Sequence, residues 1–207
     1  MRVKTEVRRQ AIITAAWDAF RENGYERTTM SAIASRLGGS KGTLYGYFSS
    51  KEELLIAAIE QIFSRRGEAA IEKLKAPGTL RSRLTAFAYD YIELRTHPDA
   101  IALDRILIAA AGQAALGDTL RDRLLSPKWG RVSDALRHEA DNGALKLEDA
   151  DAAAHDLQAL LTWPLHNDCL FGAPTPAPST IAKYATNGVD TFLAAYGRSP
   201  APSAGAT

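Results

Sequence analysis

Residues 29–51 concentrate the side chains whose types and spacing suit a chemistry, and that chemistry is the reading of nucleic acid. Lys41 can donate to guanine O6 and N7, and Thr43 can offer a hydroxyl or a methyl to thymine. The Tyr45 and Tyr47 hydroxyls can bond phosphate oxygens. Gly42 lets the backbone approach a duplex closely. Lys51 falls in the first turn of a helix, where a cation opposes the helix dipole. A nearby phosphate would remove that penalty, so Lys51 is expected to meet DNA.

Other chemistry finds no support. His97, His138, His155 and His166 form no H-E-x-x-H pattern. His166, Asp168 and Cys169 are close in sequence, but no second cluster completes a metal site. No G-x-S-x-G, P-loop or G-x-G-x-x-G occurs. Neither an enzyme nor a cofactor or metal is expected.

The elements that would position the reading residues are helices. Ile13, Ala16, Trp17 and Phe20 fall on one face of a first helix, expected over about 5–23 and stopped by Asn23-Gly24. Residues 1–7 read as a flexible basic arm with Arg2 and Lys4, and Arg8 and Arg9 could meet phosphates. Thr29 is a plausible N-cap for a second helix carrying Ile33, Ala34 and Leu37. Gly38-Gly39 provides the corner, and Ser40 caps a third helix with Lys41 and Thr43 in its first turn. Leu44 and Phe48 are expected to fill the small core. Two helices joined by a glycine turn make a helix-turn-helix, whose second helix lies in the major groove. Ser50-x-x-Glu53 is a capping box for a long fourth helix to about Lys75, with Leu55, Ile59, Ile62 and Phe63 inward.

Beyond Pro77-Gly78 the pattern stays helical. Leu80, Leu84, Phe87, Tyr91 and Leu94 repeat every three or four residues. His97-Pro98 is a boundary, followed by an apolar helix from Asp99 to about Gly112. A stretch from Asp118 to Asn142 carries Leu120, Leu124, Val132 and Leu136, with Pro127 expected to kink it. A further helix is expected from Asp149 to about Asn167, with Pro164 inside it. A last one is expected from Thr180 to Tyr196. No strand pattern or internal repeat is present.

The chain has 207 residues and a net charge of +1. Its first 51 residues hold nine basic and four acidic side chains, and the remainder is slightly acidic. A basic head suits a polyanion. Cys169 is the only cysteine, so no intrachain disulfide can form. With no apolar run long enough for a membrane span and no signal pattern, a cytoplasmic protein is expected.

The block from about residue 8 to 60 resembles the DNA-binding domain of TetR-family transcriptional regulators. The matching pieces are Ala16 and Phe20, Gly24-Tyr25, Thr28-Thr29, Ile33-Ala34, Leu37-Gly38, Ser40 to Tyr45, Tyr47-Phe48 and Lys51 to Leu54. Two positions depart from the family's pattern. Gly39 stands where a β-branched residue usually packs and is expected to loosen the turn. Gly46 stands where a larger side chain often faces DNA and, inside the third helix, is expected to weaken it.

The resemblance implies an all-α fold. An N-terminal three-helix helix-turn-helix domain (1–50) is joined by a long helix to a C-terminal helical ligand and dimer domain (51–197), with a disordered tail (198–207). It places Thr29 near the DNA backbone and makes Thr29, Ser31, Ser40, Lys41, Gly42, Thr43, Tyr45, Tyr47 and Lys51 the candidate DNA-binding set. The expected partners are a double-stranded operator, a second copy of the chain and a small-molecule effector of unknown identity; no membrane is expected. The expected function is that of a ligand-responsive repressor, homodimeric on a palindromic operator with half-sites about 34–36 Å apart. Phe87, Tyr91, Trp129, Trp163 and His166 are candidates for a ligand pocket, or plain core. Leu157, Leu160, Leu161, Ile181, Tyr184 and Phe192 are candidates for a dimer interface, or the core of one chain. The rival reading is a helical module that binds a protein partner and no DNA.

Overall fold

The computed structural model describes residues 2–109 and 126–198, with the backbone alone at 2–4, 62–65 and 126–128. The described elements are helical, and the only β feature among them is an isolated bridge between Leu145 and Gly197. By their contacts they fall into two compact units, one drawn from Met1–Arg65 and Pro98–Leu125, the other from Arg66–His97 and Ser126–Thr207.

In the first unit, α1 (Arg2–Asn23) buries Ile12, Ile13, Ala16 and Phe20. Its backbone is helical from Arg2, so the arm expected over 1–7 is corrected, over residues 2–7, to the opening turns of a helix. No proline or glycine interrupts that stretch, and Arg, Lys and Glu extend a helix readily. Gly24, at φ 77°, ends α1 and donates to the Phe20 carbonyl at 2.8 Å. Thr28 is buried, and its hydroxyl bonds the Ala19 and Gly24 carbonyls at 3.1 and 2.7 Å, which fixes the corner.

Helix α2 (Met30–Arg36) starts at Thr29, whose hydroxyl accepts from the Ala32 N–H at 3.1 Å. It stops in a Schellman arrangement: Gly38 at φ 62° donates to Ser35 and Gly39 to Ala34, both at 3.1 Å. Helix α3 (Lys41–Tyr45) is capped by Ser40, which accepts from the Thr43 N–H at 3.1 Å. Leu44 turns inward from it.

Helix α4 (Lys51–Glu72) buries Leu54, Leu55 and Ala58 completely. Ser50 accepts from the Glu53 N–H at 3.1 Å, but the returning carboxylate bonds the Ser49 N–H and hydroxyl, both at 2.7 Å. The capping box thus closes one residue early. Ile59 is buried, while the side chains of Ile62 and Phe63 lie outside the described residues. Helix α6 (Pro98–Ala109) belongs to this unit too, where Asp99 accepts from Trp17 Nε1 at 3.4 Å and Arg21 at 3.2 Å.

The second unit continues α4 through a 3-10 turn (Lys73–Lys75) into α5 (Leu80–Thr96). Helix α5 packs on α8 (Ala150–Thr162) and α10 (Pro178–Tyr196), and α7 (Ser126–Asp141) covers α8. Pro127 lies in the first turn of α7, where proline is tolerated; Leu120 and Leu124 lie outside the described residues. The long helix expected over 149–167 is corrected to two. Pro164 cannot continue a helix, so α8 ends at Thr162, Trp163 is extended at ψ 138°, and the short α9 (Leu165–Leu170) follows. Gly188 sets the approach of α10 to α8: an added Cβ there would lie 2.9 Å from Leu161 Cδ2 and 3.3 Å from the Leu160 carbonyl oxygen.

Candidate nucleic-acid interface

The reading helix is held from behind and open in front. Leu44 and Phe48 are both 2 % exposed and anchor it in the head's core, as expected from the sequence. Lys41, Gly42 and Thr43 are exposed, and Tyr45 is 52 % exposed. The Thr43 hydroxyl shares a 3.0 Å hydrogen bond with Ser40 Oγ. Tyr47 lies in the turn after the helix and is half-buried, as is Ser31 on α2; Thr29 is exposed at its cap. A Cβ on Gly42 would meet only Ser40 Oγ, at an ordinary 3.7 Å, so packing does not demand a glycine there.

Lys51 differs from its expectation in one respect. Its Nζ donates to the Tyr25 carbonyl at 2.9 Å and lies 4.0 Å from the Tyr25 ring centroid. The head therefore supplies a partner that offsets the dipole penalty, and no phosphate is needed to do so. The Tyr25 hydroxyl donates to Glu52 at 2.7 Å. Burial, then the bond to Glu52, pushes the phenol's pKa up, while that same bond holds the Glu52 carboxyl below its ordinary range.

The sign of the resulting pH dependence follows. A depressed carboxyl contributes stability above its unfolded pKa of about 4.3 and loses it as pH falls through the folded value. A raised phenol contributes below about pH 10 and loses it as pH rises further. Tyr25→Phe is expected to cost the head about 1–2 kcal/mol at neutral pH and to flatten its acid loss of stability below about pH 4.3. Thermal midpoints measured across pH 3–7 check this; parallel acid limbs for both proteins would refute it.

Residues 12–67 match the family of bacterial regulatory proteins, tetR family, and residues 82–198 match the C-terminal domain of AefR-like transcriptional repressors. The second match covers more than half of the chain. The chain belongs to the TetR family.

It is accordingly a DNA-binding transcriptional regulator of the repressor type, and neither matched family is one of enzymes. Among curated relatives, the uncharacterized HTH-type transcriptional regulator YezE of Bacillus subtilis is 25% identical over 147 residues, 69% of this chain and 75% of that one. The HTH-type transcriptional regulator BetI of Rhizobium meliloti is 39% identical over 80 residues, 39% of either chain. Among solved structures, a TetR-family regulator from Mesorhizobium loti superposes with a TM-score of 0.80 at 25% identity, covering 92% of this chain and 96% of that one. The flavonoid-responsive regulator FrrA superposes with a TM-score of 0.74 at 27% identity, covering 93% and 98%.

The two departures from the TetR pattern have structural counterparts. Gly46 is not inside the reading helix, as the sequence suggests, but is its C-cap, bonded to Gly42 at 3.1 Å. It therefore ends the helix where an interior glycine would weaken it. Gly39 lies against the end of Arg8: a Cβ there would be 3.0 Å from Arg8 Nη2.

In the body, three of the five pocket candidates come together. The Phe87 and Tyr91 rings stack at 5.7 Å, and Trp129 meets both edge-on at 6.4 and 5.3 Å. The Tyr91 hydroxyl accepts from Gln158 at 3.2 Å. His166 is buried on α9 instead, where Nε2 accepts from Arg95 at 3.0 Å, since a guanidinium can only donate. Trp163 is 66 % exposed and stands apart from the cluster, because the break before Pro164 turns it outward.

Of the dimer candidates, Leu157, Leu161, Ile181 and Phe192 are core residues of the single chain and offer no surface to a partner. The seam between α8 and α10 encloses them. Leu160 and Tyr184 are half-buried at its outer side.

Proposed function

We propose that this regulator binds a palindromic operator as a homodimer and releases it when a small molecule occupies the body. The observation that carries the DNA reading is the exposure of Lys41, Thr43 and Tyr45 on a helix whose other face is fixed in the core. Lys41 and Thr43 read bases, and Thr29, Ser31, Ser40, Gly42, Tyr45, Tyr47 and Lys51 complete the surface against the duplex. Lysines and arginines supply salt-dependent affinity. Two-fold symmetry would come from α8 and α10 of two copies, meeting around Leu160 and Tyr184.

The effector site is placed at the Phe87, Tyr91 and Trp129 rings, an apolar cluster with one polar handle in Gln158. FrrA, a structural relative, is flavonoid-responsive by name, which supports a planar aromatic effector. The effector acts by preferring a body conformation in which the heads no longer fit the operator, a shift of population that requires that preference.

Titration against a pool of random duplexes at two salt concentrations, with sequencing of the bound fraction, tests the reading. An enriched palindrome whose affinity falls steeply with salt is the expected result. Absence of both enrichment and salt-sensitive binding would favour the helical interaction module.

A further inference from the structure

Among the described residues, most cations of the head are already engaged. Arg21 and Arg36 pair with Asp99 and Glu22. Arg27 donates to the Asn23 carbonyl. Arg9 lies 5.2 Å from the Phe48 ring centroid, and Lys51 is held by Tyr25. Among the described residues, two head cations stand without such a contact: Lys41, on the reading helix, and Arg8, on α1.

Arg8 is half-buried, and its guanidinium reaches the α2–α3 turn. There it lines one shallow depression with Gly39, Ser40 and Thr43, the residues that flank Lys41. A Cβ at Gly39 would lie 3.0 Å from Nη2, so the flexible end of Arg8 would have to move by a few tenths of an ångström. Gly39 is not required by its own backbone, since its φ is not among the positive ones. A guanidinium with no carboxylate beside it keeps its donors available to an arriving anion, which it binds by charge-assisted hydrogen bonds.

We propose that Arg8 is a phosphate-binding residue of the DNA interface, seated over the α2–α3 turn by the missing side chain of Gly39. The inference rests on the DNA-binding reading above. Its ligand is a backbone phosphate, because Arg8 projects from α1 beside the reading helix and not from that helix into the groove. Arg8 thus adds affinity without sequence choice.

A double-mutant cycle in the full chain tests this, with affinity for the selected operator and for unrelated duplex measured over a salt series. In the proposed homodimer two copies of Arg8 are lost, so Arg8→Ala is expected to weaken binding to both duplexes about tenfold for each copy, and to reduce the slope of log affinity against log salt by about 1.8, or about 0.9 for each phosphate contact. Gly39→Ala, which displaces the flexible end of Arg8, should act in the same direction. In the Arg8→Ala background it should add nothing. Arg8→Gln keeps the stem and guards against lost packing, and thermal melts confirm folding of each variant.

An Arg8→Ala protein with wild-type affinity and salt slope would overturn the proposal, while loss of binding in Lys41→Ala would keep the DNA reading intact. A Gly39→Ala effect that persists without Arg8 would overturn the pairing, since the glycine would then act through the turn alone. A wild-type chain that binds no duplex would sink the DNA reading and this inference together.

Discussion

Glu139→Ala should destabilise the body by about 3 kcal/mol, since breaking a buried ion pair leaves an uncompensated charge. Arg83 meets both Glu139 carboxylate oxygens, at 2.8 and 3.0 Å, and also donates to the Leu74 carbonyl at 2.9 Å. The side chains are only 18% and 12% exposed. The pairing holds the guanidinium's pKa above its ordinary value. Arg83 Nε is already buried without a hydrogen-bond partner, so little remains to satisfy the guanidinium once the carboxylate goes.

Urea denaturation followed by tryptophan fluorescence measures the loss. The companion variant Arg83→Met/Glu139→Leu should recover much of it, because apolar replacement of both partners removes the desolvation cost as well. A single-variant loss under about 1 kcal/mol would place this pair with ordinary surface ion pairs.

Lys41→Ala should cost about 1–3 kcal/mol of affinity for each half-site, on the order of a tenfold to hundredfold weakening per copy, and should relax the base preference at one position of each half-site. Stability should stay within about 0.5 kcal/mol of wild type, because Lys41 is exposed and spends no bond on the fold. Selection from random duplexes with the variant, beside thermal melts, separates the two effects. Uniform weakening on every sequence, with the base preference intact, would reassign Lys41 to a phosphate.

What could be read in advance was short in range. The caps at Thr29 and Ser40 depend on a hydroxyl and an N–H three residues away, and both formed as the sequence implied. The corner at Gly38 depends on a φ that glycine adopts freely. Leu44 turned inward from its helix, and Phe48, just beyond that helix, turned inward too.

What escaped was set at a distance. The partner of Lys51 lies 26 residues earlier in the chain, so the dipole argument identified an unmet need and assigned it to DNA. Arg8 and Gly39 meet across the α1–α3 corner, which no local spacing announces. For the apolar faces of α8 and α10, periodicity marked which residues turn inward but not whether the neighbour is the same chain or another. Phe192 and Leu157 proved to be enclosed by their own chain. Pro164 is a different case: its inability to continue a helix was available from the sequence, and the apolar spacing on either side masked it.

The five residues of α3, ended by Gly46, also limit how much sequence the head can distinguish. At about 1.5 Å per residue the helix advances about 7.5 Å, close to two base-pair steps of about 3.4 Å. Each step holds at most two bits, so a single reading helix carries only a few bits of address. That is far too little to mark one locus in a genome. Selectivity would therefore have to accumulate outside the helix, from the two heads of the proposed homodimer and from the deformability of base pairs that neither head touches.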